Sequence, residues 1–178
     1  MKTVYQTNEY ITFTLDEEVF AIEVSGVESI LEYTRLTKLP GADDSVLGVL
    51  NLRGKALPVV DLRKILDIKG SEISSDTAII IMLVERGGKI SAIGGLVDSV
   101  KEVVEITDDM IQDSLDIGVK IDNNLVAGLA KQKDEFIIIL DINRVFGEFQ
   151  MERFDNGCLE LSEISENDGG ATESNVAP

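Results

Sequence analysis

Hydrophobic and polar residues alternate along much of this chain, which is the pattern of β-strands that bury one face. Residues 9–16, EYITFTLD, show it most clearly, because Ile11, Phe13 and Leu15 are separated by threonines. Other segments are runs of aliphatic and β-branched residues, which favour strands as well. Together these patterns predict further strands at 19–24, 55–60, 77–84, 89–97, 125–131 and 135–140.

Glycine pairs and short helix-compatible segments punctuate these strands. Gly87-Gly88 is a hairpin signal, whereas Gly94-Gly95 inside a strand pattern predicts a bulge or a sharp bend. Helical segments are short: LRKIL follows Asp61, INRVF follows Asp141, and a third segment begins with Thr107 as a candidate N-cap. Many short strands with few helices predict a mostly-β barrel architecture.

The second half of the chain repeats the first. GVLNLRGKALPVVDLRKIL at 48–66 aligns without a gap with GLAKQKDEFIIILDINRVF at 128–146, so that Asp61 pairs with Asp141. Upstream, VESI at 27–30 matches VDSV at 97–100, which pairs Val27 with Val97. The two copies are 70 residues apart here and 80 residues apart in the main repeat. The repeat predicts two similar five-stranded barrels packed against each other, with an aspartate capping a short helix in each.

The chain is strongly acidic, with 33 Asp and Glu against 16 Lys and Arg residues and a net charge of −17. Such a surface repels phosphate groups, so we expect no binding to nucleic acid. The longest apolar run has seven residues, at 78–84, against the roughly 20 that a membrane helix needs. Because the N-terminal residues also lack a signal-peptide core, we expect a cytoplasmic protein without membrane insertion.

The composition gives little support for catalysis. The sequence has no His, and its single cysteine is Cys158, which excludes His-based triads, zinc sites made of His or several Cys, and an internal disulfide. No calcium loop, Walker motif or dinucleotide loop is present. We therefore expect no enzymatic activity, no cofactor and no metal, with a carboxylate- or Lys-based enzyme as the alternative.

Residues 147–178 differ from the rest of the chain. They contain eight acidic residues and one basic residue, a net charge of −7, and become polar and Gly-rich after Glu163. A segment with so little to bury does not offset its own ordering entropy. We therefore expect a folded domain at 1–146 and an acidic, largely disordered tail at 147–178, in which 151–164 favours a short helix.

The sharpest local motif is NLRG at 51–54, where Asn51 and Arg53 bracket a leucine before a glycine turn. Arginine forms bidentate pairs with carboxylates, so Arg53 is a candidate anchor for a partner, the alternative being a solvated residue at a barrel rim. Three aliphatic residues on an early strand are candidates for an apolar edge that faces a partner, with a core role as the alternative: Val27, Ile30 and Leu31.

The segments LPGADDSVLGV and NLRGKALPVVDLRKIL closely resemble the signature of CheW, the family of bacterial chemotaxis coupling proteins. The resemblance runs from about residue 10 to residue 146 and includes FTLDEEVFAIEVSGVESI and GGLVDSVKEVVEI. Members of this family have two SH3-like five-stranded barrels with a hydrophobic core between them, and their first strand joins the second barrel. The resemblance implies a first barrel at 16–85 and a second at 86–146 that includes strand 10–15.

The resemblance further implies a non-enzymatic adaptor that couples membrane chemoreceptors to the histidine kinase CheA. Such an adaptor binds the receptor's cytoplasmic helical-hairpin tip and the kinase's own CheW-like regulatory domain, at membrane receptor arrays, and is a monomer when isolated. A small-ligand-binding double barrel without a kinase partner is the alternative function. By motif position, the residues expected to line the receptor groove are Val27, Ile30, Leu31, Val97 and Val100. The residues expected to contact the kinase or the receptor are Asn51 and Arg53.

Overall fold

The computed structural model describes residues 6–112 and 125–146. Within these ranges the chain forms eleven strands and two four-residue α-helices. In chain order they are β1 Thr7–Leu15, β2 Glu18–Glu23, β3 Val27–Glu32, β4 Val46–Leu52, β5 Lys55–Asp61, α1 Leu62–Ile65, β6 Ala78–Arg86, β7 Lys89–Val97, β8 Ser99–Thr107, β9 Ile111–Gln112, β10 Val126–Gln132, β11 Glu135–Leu140 and α2 Ile142–Val145. The predicted tail at 147–178 lies outside the described residues.

Strands β3 to β7 form the first barrel, with the strand order β3-β6-β7-β5-β4. The chain after β3 turns back to the opposite edge strand, where Thr37 and Val49 exchange two backbone N–H···O bonds of 3.0 and 2.8 Å. These bonds close the sheet, so both edges gain partners.

The second barrel contains the remaining strands in the order β8-β1-β2-β11-β10-β9. A single 3₁₀ turn at Asp108–Met110 separates β8 from β9, so one bent segment pairs with β1 at one end and with β10 at the other. The helix predicted after Thr107 is only this turn. The Thr107 hydroxyl donates to the Asp109 carboxylate and its side chain caps no backbone N–H.

The expected barrel limits of 16–85 and 86–146 assign two strands to the wrong barrel. Strand β2 pairs antiparallel with β1 and parallel with β11, in the second barrel. Strand β7 pairs antiparallel with β6 and parallel with β5, in the first. The physical reason is that both pairs are tight hairpins, and strands joined by short turns stay paired. The placement of residues 10–15 in the second barrel agrees with the topology.

The two barrels repeat the same arrangement, with β4, β5 and α1 equivalent to β10, β11 and α2. Both pairs of strands carry a register shift at the matching glycines, Gly48 and Gly128. The upstream pairing of Val27 with Val97 is wrong. Val27 lies opposite Met82 in β6, and Val100 lies opposite Phe13 in β1. Val27 is therefore equivalent to Val100. Because each strand carries one bulge at the matching place, Ile30 is likewise equivalent to Val103.

The described core consists of three hydrophobic clusters. The first-barrel cluster is Leu50, Leu57, Val59, Ile79, Ile81 and Leu96. The second-barrel cluster is Tyr10, Ala21, Val104, Ile106, Ala130, Ile137 and Ile139. The between-barrel cluster is Ile11, Phe13, Leu15, Phe20, Ile22, Val60, Leu62, Ala78, Ile80, Met82, Val84, Ile93, Val97, Val126, Leu140, Ile142, Val145 and Phe146.

Strand β6 is apolar from Ala78 to Val84 because this part is buried on both faces. Ile79 and Ile81 point into the first barrel, while Ile80 and Met82 point into the between-barrel cluster. The neighbouring Gly94-Gly95 pair shows no register shift, so the predicted bulge is wrong. These glycines instead permit close packing, since a Cβ on Gly95 would lie 2.5 Å from the Met82 Cε atom.

Candidate partner-binding surface

The NLRG motif forms the tip of the β4–β5 hairpin. Arg53 and Gly54 are its two loop residues, with φ angles of 52° and 79°, as in a type I′ turn. The Asn51 Oδ1 atom accepts a 3.0 Å hydrogen bond from the Gly54 N–H. Asn51 therefore shapes the turn, while Arg53 is exposed and makes no ion pair within the described ranges.

Strand β3 presents one aliphatic side chain to solvent. Ile30 is 42% exposed and lies opposite Ile80, on the face that continues into the between-barrel cluster. Leu31 lies opposite Ile79 and packs against the first-barrel cluster. Ile30 is therefore accessible to a partner, and Leu31 supports the strand from inside the barrel.

Three of the other predicted groove residues meet at the between-barrel cluster. Val97 belongs to the cluster and has no exposed surface, whereas Val27 and Val100 are half-buried at its margin. Val97 therefore supports the surface from beneath and offers nothing to a partner. The sequence interpretation missed Val103 of β8. This residue is 57% exposed and lies opposite Ile11 of β1. Pairing Val27 with Val100 in the repeat would have identified Val103 as the equivalent of Ile30.

Arg63 forms a buried ion-pair network that the sequence interpretation also missed. Its Nε and Nη2 atoms donate to the two carboxylate oxygens of Asp61, both at 2.9 Å, in a bidentate pair. Its Nη1 atom donates to Asp98 at 2.9 Å and to the Ser71 carbonyl at 2.6 Å. The hydrogen bond that Arg63 donates to Asp61 is the main reason that the pKa of Arg63 is raised, against the opposing effect of burial.

The same network ties the two barrels together. Asp98 follows β7, and its second carboxylate oxygen accepts a 2.6 Å hydrogen bond from the Asp16 N–H in the β1–β2 turn. The Asp61 carboxylate also accepts the Arg63 N–H at 3.0 Å, which confirms its role as an N-cap. The strand that contains Val100 begins directly after Asp98, so the network fixes one side of the between-barrel cluster.

The described residues contain no group of three or more His, Cys, Asp or Glu arranged to hold a metal ion. None of their helices has the length and hydrophobicity to cross a membrane. The candidate surface combines aliphatic side chains beside the junction of the two barrels, at Val27, Ile30 and Val100, with the exposed guanidinium of Arg53 on a hairpin. Such a surface is suited to contact with another macromolecule.

Comparison with known proteins agrees with this arrangement. The family described as the CheW-like domain matches residues 9–150. The chain belongs to the CheW family. The chemotaxis protein CheW of Thermotoga maritima is 33% identical over 144 residues, which cover 81% of this chain and 91% of that protein. CheW of Bacillus subtilis is 32% identical, covering 76% and 84% of the two chains.

A solved structure of a CheW protein gives the same result at the level of the fold. The scaffolding protein TtCheW from Thermoanaerobacter tengcongensis superposes with a TM-score of 0.71 and 31% sequence identity, covering 82% of this chain and 96% of that one. The protein is thus a chemotaxis scaffold of the CheW family and not an enzyme. Its mostly-β fold of two sheets with few short helices is the fold predicted from the sequence.

Proposed function

We propose that this CheW-family scaffold couples chemoreceptors to the histidine kinase CheA, acting in the cytoplasm at membrane receptor arrays and as a monomer when isolated. It binds the helical-hairpin tip of the receptor and the CheW-like regulatory domain of the kinase. The observation that carries this proposal is an exposed aliphatic strand face, at Ile30, that continues into the core between two barrels. Family membership supplies the class of partner.

A helical receptor tip fits this surface because a helix binds a groove through a few apolar side chains on one face. Ile30 provides an exposed aliphatic contact, and Val27 and Val100 provide half-buried ones at the margin of the between-barrel cluster. Since the cluster beneath them is closely packed, the surface is formed before a partner arrives, which reduces the entropy cost of binding.

Arg53 is proposed to contact an acidic group of the kinase or receptor. An arginine in the left-handed region is strained by roughly 1 kcal/mol, and its exposed guanidinium has no ion pair within the described part of the chain to offset that strain. A bidentate pair with a partner carboxylate would use two of the five N–H donors of this exposed guanidinium.

Calorimetric titration tests the receptor site. Replacing Ile30 with Ser removes apolar surface that a helix would cover, so we expect about tenfold weaker binding of a receptor-tip hairpin, or roughly 1.4 kcal/mol. Ile90→Ser is the matched control, because Ile90 is 65% exposed on a different strand. Equal losses in both variants, or none in Ile30→Ser, would show that Ile30 is not a receptor contact.

A second titration tests Arg53 against the regulatory domain of the kinase and against the receptor tip. Arg53→Ala removes the guanidinium and should weaken binding of one of them by about tenfold. Lys133→Ala is the control, since Lys133 occupies the equivalent hairpin position with a φ of 48°. A folded Arg53→Ala protein with unchanged affinity for both would overturn the assignment, and an unfolded one would make Arg53 structural.

A further inference from the structure

The first barrel carries a cavity of about 840 Å³, and none of its described lining residues is among those proposed to bind the receptor or the kinase. Its walls combine aliphatic and aromatic side chains from the end of the first-barrel cluster with residues of the segment that follows β3. The lining residues are Tyr33, Arg35, Leu36, Thr37, Lys38, Leu47, Arg63, Ile73 and Leu96. We call this region the first-barrel mouth. Ile73, at its edge, is 52% exposed.

The first-barrel mouth has the opposite charge from the chain as a whole. Three of its described lining residues are cationic and none is acidic, although acidic residues outnumber basic ones 33 to 16 in the sequence. Arg63 is engaged with Asp61 and Asp98. Arg35 and Lys38 are exposed and form no ion pair within the described ranges. The mouth therefore suits an occupant that is both acidic and apolar.

We propose that the occupant is the chain's own C-terminal segment, residues 158–164. This segment, CLELSEI, has three aliphatic and two acidic residues within seven positions, and the whole of 147–178 carries a net charge of −7. Leu159, Leu161 and Ile164 supply apolar surface for Leu36, Leu47 and Ile73, while Glu160 and Glu163 pair with Arg35 and Lys38.

The chain length permits this contact. Residues 147–160 span up to roughly 46 Å when extended, whereas a domain of this size has a radius of gyration of only about 14 Å. A tethered segment also binds at an effective concentration in the millimolar range, so weak contacts are enough to hold it. In this position the tail competes with any partner that approaches the mouth.

The single cysteine makes a direct test possible in the full chain. A nitroxide spin label on Cys158 broadens the amide NMR signals of whichever residues lie near the tail. We expect selective broadening at 33–38, Leu47 and Ile73, and its loss when the label is reduced. Raising the salt to about 1 M, where the Debye length falls to about 3 Å, should weaken the broadening.

Charge variants identify the contact. Arg35→Glu with Lys38→Glu should abolish the broadening, whereas Lys131→Glu with Lys133→Glu, an equal change on the exposed β10–β11 hairpin, should leave it intact. Adding Glu160→Lys and Glu163→Lys to the first variant should restore it. If the mouth variant does not fold, Leu159→Ser with Leu161→Ser removes the apolar half of the contact from the tail alone.

Mixing labelled unenriched protein with unlabelled ¹⁵N-enriched protein separates the tail of the same molecule from that of a second copy. The proposal requires broadening within one molecule and none in the mixture. Broadening only in the mixture, broadening on another face, no broadening at all, or broadening unchanged by Arg35→Glu with Lys38→Glu would each overturn it. None of these results bears on kinase or receptor binding, which the Ile30 and Arg53 variants test separately.

Discussion

At the scale of single residues, the two N-cap aspartates show how burial changes the role of one sequence motif. Asp61 and Asp141 each accept a backbone N–H at the start of a short helix. Asp61 and Arg63 are almost completely buried, whereas the Asp141–Arg144 pair is 34% and 57% exposed, at a longer distance of 3.4 Å. The repeat keeps the cap in both halves but places the buried ion pair in only the first.

Removing the buried arginine should therefore be costly. Arg63→Met leaves the Asp61 and Asp98 carboxylates without their cation, and we expect the free energy of unfolding to fall by about 3 kcal/mol or more. Arg144→Met, the exposed counterpart, should cost no more than about 1 kcal/mol. Urea denaturation of the two variants beside the natural chain measures both values. Similar losses in the two variants would mean that burial does not control the strength of these pairs.

At the scale of elements, the register shifts in β4 and β10 depend on glycines that other strands approach closely. A Cβ on Gly48 would lie 2.4 Å from the Thr37 carbonyl oxygen, in the bridge that closes the first barrel. A Cβ on Gly128 would lie 2.5 Å from the Ile111 Cγ2 atom, beside β9. In each barrel a neighbouring segment therefore packs directly against the glycine: the segment after β3 against Gly48, and β9 against Gly128. This close approach explains why the repeat begins with glycine in both halves.

Substitution of Gly48 tests this role. Gly48→Ala combines a φ of 149°, which favours glycine, with a clash against backbone, so we expect a loss of about 3 kcal/mol in the free energy of unfolding. Gly54→Ala is the control, because Gly54 also has a positive φ but nothing within 4 Å of the added Cβ. It should lose only about 1 kcal/mol. Equal losses in chemical denaturation would assign the cost to φ alone.

The elements also show what the sequence can and cannot predict. Period-two alternation identified the strand at Ile11 to Leu15, and the gap-free repeat identified both capped helices, because these signals are local. The partners of β2 and β7 depend on contacts between distant segments, which no local pattern specifies. The same limit explains the error at Val97: the similarity of VESI to VDSV paired Val27 with Val97, whereas the pairing of β3 with β6 and of β8 with β1 makes Val100 its equivalent.

At the scale of the whole molecule, the between-barrel cluster joins the two barrels into one folding unit. It takes residues from both sheets and from both helices, and Phe13 and Phe20 stack within it with ring centroids 6.1 Å apart. Each barrel alone would expose this apolar face to water, where it has no favourable partner. The barrels should therefore unfold together, and the surface at Ile30 and Val100 should exist only when both are folded.

Phe13→Ala tests this cooperativity, because Phe13 lies in the second barrel but is fully buried in the shared cluster. The cavity should lower the free energy of unfolding by about 3–5 kcal/mol. Hydrogen exchange should show the same loss for amides of 79–81 in the first barrel and 137–139 in the second. Phe136→Ala, at a position 55% exposed, should change either value by less than about 0.5 kcal/mol. If exchange quickens in the second barrel alone, the barrels are separate units and the surface between them is not formed in advance of binding.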